Sequence, residues 1–297
     1  MRPPRIDFSR HLYHGADRRP KRAAYALPTF FTAGNLFLGF IAILKSFQGA
    51  MDASAGNMGM NQHWQQAAVM IGIAVFLDGL DGRIARITNT VSDFGREMDS
   101  LADVITFGIA PAVLAFAWGF QFIRPSEMNQ LRDQLQSAGY FVSFLFLLCG
   151  ASRLARFNIQ TNPIPKNPGR PDRKYFVGLP IPAAAGFVAA VVYAADSRPI
   201  ESWPFAVIWL VTLFLLAFLM VSTWRYRSFK DLNLMRPRSP ITVVLFGSFI
   251  YLVWNFSQPV LLALAGTYVS SGIFVRVGGI LRRRLRPNRP APDHQVG

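Results

Sequence analysis

Cysteine is almost missing from this 297-residue chain: Cys149 stands alone. No intrachain disulfide can brace the fold, and Cys149 reads as a small apolar residue within a helix. Histidine is scarce too. His11, His14 and His63 fall in terminal or outer-loop positions and His294 near the end of the chain, so none is placed to act as a general base. Acidic residues number 16 against 31 Lys and Arg. Most telling is the lack of any charge in residues 26–44, 104–123, 177–195 and 202–224. Each of these runs reaches or nears the ~20 residues a membrane-spanning helix needs, which excludes an ordinary soluble domain.

The remaining apolar runs complete the set. Residues 239–275 are also uncharged, with Pro259 dividing them into two spans. The run from Ala67 ends at Asp78 and the run from Ser137 ends at Arg153, and both become long enough if their helices continue into the polar ends. The expectation is an all-α polytopic membrane protein of eight spans. Residues 1–25 form a basic arm, 26–224 a six-span working bundle, 225–281 an appended two-span region and 282–297 a basic tail. A cleaved signal peptide is not expected, because the first apolar run follows a basic stretch and is long enough to span.

Orientation follows from Lys and Arg. With the N-terminus inside, only Lys45, Arg124, Arg132 and Arg198 fall near the outer face, and the other 27 basic residues lie inside. This bias accounts for most of the +15 net charge. It argues against nucleic acid as a partner and for an anionic membrane surface and phosphate-bearing substrates.

Against this background Asp78, Asp81, Asp99 and Asp103 stand out. A carboxylate at the centre of a spanning helix costs roughly 2.5–3.5 kcal/mol on insertion scales. Asp78 and Asp81 are three apart, and Asp99 and Asp103 four apart, so each pair shares a helix face. Residues 87–94 read as a short inner turn, with Ser92 or Asp93 capping the next helix. The hairpin would set the two carboxylate faces opposite each other. Hard oxygen ligands suit Mg²⁺, Mn²⁺ or Ca²⁺, and four carboxylates suffice for two ions roughly 3.5–4 Å apart that clamp a diphosphate. Gly82 opens the backbone beside Asp81 to a nucleotide, Ala85 keeps the same face low, and Arg86 supplies a planar fork for phosphate.

The pattern Asp78-x-x-Asp81-Gly82-x-x-Ala85-Arg86, eight residues, Gly95-x-x-x-Asp99-x-x-x-Asp103 resembles the signature of the CDP-alcohol phosphotransferase family, with every position filled. The resemblance implies a six-helix membrane bundle, a homodimer and a di-metal site holding Mg²⁺ or Mn²⁺ and open to the cytoplasm. A phosphatidyl-type group would pass from a CDP-linked donor to an alcohol, with release of CMP. It further implies that Asp78, Asp81, Asp99 and Asp103 are metal ligands and that Asp103 is also the general base. Gly82, Arg86 and Ser92 match family positions that contact the CDP group, with Asn35 adding a contact from the first helix. The implied location is the bacterial inner membrane, with the site facing the cytoplasm.

Residues 27–40, 92–112, 151–158 and 176–186 resemble the serine-using branch of the family, which implies CDP-diacylglycerol and L-serine as substrates. Serine carries a carboxylate, for which Arg153 and Arg156, three apart at the inner end of the fourth span, and Lys174 are the candidate partners. Glycerol 3-phosphate, inositol phosphate and choline remain as other acceptors. Pro180 and Pro182 either break the start of the fifth helix to expose backbone to substrate or simply initiate it. A cation or proton transporter could also use the acids. It would need a polar path outward, and residues 67–77 offer no polar side chain.

Overall fold

A computed structural model describes residues 22–88, 93–124, 129–160, 175–227, 247–248 and 251–285. Its main helices are α1 (Arg22–Ser54), α2 (Gln62–Thr88), α3 (Asp93–Asp103), α4 (Ala110–Gly119), α5 (Asn129–Gln160), α6 (Ile181–Ala194), α7 (Trp203–Val221) and α8 (Ser257–Leu285). A π-helical turn, Val104–Ile109, joins α3 to α4 without a break. Five described helical stretches are long and apolar enough to cross a membrane. The protein is a helical, polytopic membrane protein.

The packing is that of a membrane bundle. Large apolar side chains such as Phe37, Phe76, Phe141, Phe144, Phe214 and Phe218 face outward, while Ala42, Ala67, Ala110, Ala115 and Ala184 are buried. Lipid is as apolar as a helix surface, so close backbone approach through small residues holds such helices together. A Cβ on Gly49 would come within 2.5 Å of the Trp64 ring, and one on Gly139 equally near the Phe120 ring. Two buried indoles are satisfied by backbone: Trp64 Nε1 donates to the Ser46 carbonyl at 3.1 Å and Trp209 Nε1 to that of Ala115 at 3.0 Å.

Both runs that end in charge do continue as helix, α2 through Thr88 and α5 through Gln160. Elsewhere the structure departs from expectation. α1 runs on to Ser54 rather than stopping near Leu44, because Ala50 and Ala53 stay buried and Gly49 lies against Trp64 of α2. The fifth span opens not at Val177 but at Ile181. Before it, β1 (Tyr175–Val177) pairs antiparallel with β2 (Arg225–Arg227), Phe176 opposite Tyr226. Gly178 makes the turn between ribbon and helix at φ +80, where a Cβ would meet the Met220 carbonyl oxygen at 2.5 Å. Pro180 caps α6, and its carbonyl accepts from Ala183 and Ala184. Gly178 and Leu179 donate to the Trp224 and Leu219 carbonyls. These prolines therefore start a helix whose backbone groups already have partners. Near the C-terminal end the helix is interrupted at Phe256, not at Pro259. Pro259 sits in the first turn of α8, where its missing N–H costs nothing. Half of the expected seventh span, residues 239–246 and 249–250, falls outside the described residues.

The π turn has a local cause. Pro111 cannot donate to Phe107, and its ring crowds that carbonyl, so the ladder widens and Ala110 N–H bonds Ile105 instead. The wider turn directs Thr106 toward α1, where its Oγ1 donates to the Asn35 carbonyl at 3.1 Å. α1 also comes close here, since a Cβ on Gly39 would lie 2.5 Å from Thr106 Oγ1.

Candidate active site

α2 and α3 end and begin at the same end of the bundle, and the short connection forces their polar termini together. Asp78 from α2 and Asp99 and Asp103 from α3 each offer a carboxylate oxygen, and these oxygens lie within 4.8 Å of one another. Asp103 is 9% exposed, while Asp78 and Asp99 are half-buried. The gradient follows from position, because Asp103 is one turn deeper than Asp99 and adjoins the buried π turn. Three carboxylates at this separation form a hard-oxygen donor set of the kind Mg²⁺ and Mn²⁺ take, and a divalent cation fits it. The backbone of residues 81–88 is helical, but the side chains of Asp81, Ala85 and Arg86 lie outside the described residues, as do Ser92 and Lys174. Gly82 lies on the same helical segment.

Other elements wall the cluster. Asn35 is 2% exposed, beside the π turn that follows Asp103, and its Oδ1 has no hydrogen-bond partner among the described residues. From α5, Asn158 Nδ2 donates to Ser100 Oγ at 2.7 Å, and Ser100 Oγ to the Arg96 carbonyl at 3.0 Å. This ties the end of α5 to the residue after Asp99. Arg153, one to two turns earlier on α5, is half-buried and lies within electrostatic reach of Asp103, Arg156 and Tyr268. Its Nε is buried without a hydrogen-bond partner among the described residues. Arg156 instead donates from Nη1 to the Val221 carbonyl at the end of α7, at 3.5 Å. The two arginines thus face different neighbours despite their shared helix face.

An apolar groove of about 600 Å³ opens on the lipid side between α2, α6 and α8. Its inner part holds Phe76, two residues before Asp78, with Pro182 and Tyr268. The far end of the bundle carries different chemistry. There Arg124 pairs with Glu201, and His63 with Asp52 at 3.2 Å. Between the two ends lie Phe107, Leu114, Trp118 and Phe120, all buried, so among the described residues the π turn and α4 offer an ion no polar path outward from the acids.

Ser100, Asn158, Thr106 and Tyr268 were not among the residues singled out from the sequence. Thr106 had a legible signal, being the one hydroxyl residue in 104–117. Ser100 and Asn158 adjoin candidate residues but look like ordinary helix-end polarity until the helices are placed.

Residues 25–221 match the CDP-alcohol phosphatidyltransferase family. A Helicobacter pylori protein named CDP-diacylglycerol–serine O-phosphatidyltransferase is 38% identical over 217 residues, covering 72% of this chain and 77% of its own. A Saccharomyces cerevisiae protein of the same name is 34% identical over 179 residues, 60% of this chain and 58% of that one. An archaetidylserine synthase from Methanothermobacter thermautotrophicus is 35% identical over 162 residues, 54% of each chain.

Proposed function

The chain belongs to the CDP-alcohol phosphatidyltransferase family, and from that premise we propose that it transfers the phosphatidyl group of CDP-diacylglycerol to the hydroxyl of L-serine, giving phosphatidylserine and CMP. The observation that carries this reading is the convergence of Asp78, Asp99 and Asp103 near a half-buried arginine at the polar end of an apolar bundle. The names of the similar proteins support serine as the acceptor.

Asp78, Asp99 and Asp103, with Asp81 completing the set, would hold two divalent ions, Mg²⁺ or Mn²⁺. When bound, these ions neutralise the diphosphate and the charge that builds on it during transfer. Asn35, Gly82, Ala85, Arg86 and Ser92 are the contacts proposed for the cytidine diphosphate, with Arg86 as the phosphate fork. The groove between α2, α6 and α8 suits an acyl chain of the donor, since it is almost wholly apolar and starts two residues from Asp78. Arg153 receives the serine carboxylate at the level of Asp103, with Arg156 and Lys174 adding positive potential. Asp103 takes the proton of the serine hydroxyl as that oxygen bonds the lipid-bearing phosphorus. The phosphorus–oxygen bond to CMP breaks in the same displacement. The Lys and Arg bias supports a cytoplasmic setting for this end of the bundle, at a bacterial inner membrane, where serine would enter and CMP leave. The working unit is a homodimer, with 26–224 as the catalytic domain and 225–281 as an added region.

The test is CMP release by the purified protein with CDP-diacylglycerol, Mn²⁺ or Mg²⁺ and a panel of alcohols. Release with serine alone is expected. Equal release with glycerol 3-phosphate, inositol phosphate or choline would overturn the assignment of serine, and no release with any alcohol would overturn the enzyme itself.

A further inference from the structure

α8 lies beyond the residues that match the family, 25–221, yet it is pinned at two levels. At its start Ser257 Oγ lies 3.0 Å from the Tyr193 hydroxyl of α6, and Gln258 Nε2 donates to Asp196 Oδ1 at 2.8 Å. Further along, fully buried Tyr226 of β2 donates to the Val269 carbonyl at 3.4 Å. Its ring lies 5.9 Å from that of Tyr268 and packs against Gly272, where a Cβ would overlap it. Two anchors about three turns apart fix both the height and the rotation of a helix.

The residue so placed is Tyr268. It lines the inner groove with Phe76 of α2 and Pro182 of α6, and it stands within electrostatic reach of Arg153, which in turn reaches Asp103. A long guanidinium near the Asp103 carboxylate will turn onto it unless something else orients it. A phenol oxygen is a neutral acceptor. It directs the fork while leaving its charge for a substrate carboxylate.

We propose that Tyr268 is a positioning residue of the acceptor subsite: delivered by α8 and locked by Tyr226 against Gly272, its hydroxyl orients the Arg153 guanidinium beside Asp103 and so sets affinity for the acceptor carboxylate. This rests on the serine reading above. It makes the appended helix part of the acceptor site rather than an added anchor.

The full-length protein is assayed in mixed micelles with CDP-diacylglycerol and Mn²⁺, as wild type, Tyr268→Phe, Arg153→Ala and the double variant. Wild-type turnover with another alcohol but not serine refutes the serine reading, and this proposal with it, before any variant is compared. Given serine turnover, Tyr268→Phe should raise the serine KM about tenfold, the scale of one hydrogen bond to a charged group. Its kcat, its KM for CDP-diacylglycerol and its melting temperature should stay at wild-type values, since Phe keeps the ring packed. The double variant should be no worse than Arg153→Ala, because the hydroxyl acts through the arginine. An unchanged serine KM, a matching rise in the lipid KM with a lower melting temperature, or additive losses in the double variant would each overturn the proposal.

Discussion

Replacing Asp103 with Asn should stabilise the metal-free protein while removing its response to metal. The cause is electrostatic. Carboxylate oxygens of Asp78, Asp99 and Asp103 lie within 4.8 Å of one another. At that distance and an effective dielectric near 20, each like-charged pair costs about 3.5 kcal/mol. Asp103 takes part in two such pairs and is 9% exposed. Arg153 is within reach, and water reaches the half-buried Asp78 and Asp99, so most of that repulsion is offset. A net relief of about 1–2 kcal/mol remains, or roughly 2–6 °C in melting temperature for a chain of this size. Asn keeps the shape and one acceptor oxygen, so the change isolates the charge. The assay is a thermal melt of purified protein, first with chelator and then with rising Mn²⁺. In chelator the variant should melt higher than wild type. Mn²⁺ should raise the wild-type midpoint, as any ligand of the folded state does, and leave the variant nearly unmoved. CMP release should be lost in the variant. A variant that melts lower in chelator and still follows Mn²⁺ like wild type would refute the reading of these acids as a cation site.

Two further outcomes follow from packing. Gly39→Ala would press a Cβ to 2.8 Å from the Thr106 Cα and 2.5 Å from its Oγ1. A backbone atom cannot swing aside, so a loss of about 1–3 kcal/mol is expected, read as a lower melting temperature and weaker CMP release as α1 parts from the π turn. Burial pushes the Tyr226 phenol up to about 12, with Tyr268 adding to it. The folded state then holds a proton that the unfolded chain gives up near its ordinary value of about 10. The Tyr226 contribution is fully present below about pH 10 and lost as pH rises through 12, so stability should fall across that window and Tyr226→Phe should flatten the fall.

How much of this was legible in the sequence tracks how costly each feature is to misplace. A carboxylate misplaced in a spanning helix costs kilocalories, so Asp78, Asp99 and Asp103 carried a clear trace: the spacing, the facing hairpin and the shared end of the bundle all read from the placing of acids among apolar runs. The helical continuation of α2 and α5 into charged ends read for the same reason. The β1–β2 ribbon did not, because three-residue strands carry no period and depend on a partner some fifty residues away. The extra length of α1 was hidden because Gly49 reads as a loop residue until Trp64 is set against it. The π turn depends on one proline and rotates Thr106 by a fraction of a turn, a shift no apolar pattern registers.

Tyr268 is the sharpest instance. Alone it is one more aromatic in an apolar helix, where aromatics are the rule. Its place beside Arg153 comes from a glycine on its own helix, a tyrosine on a strand and a hydroxyl pair at the far end of α6. Each contact is worth little, and only their agreement on one height and one rotation gives the residue a role. Acids that must converge leave their mark in local spacing. Groups that orient another group leave theirs only in the packing that brings distant segments together, and it is there that a choice between acceptor alcohols would be written.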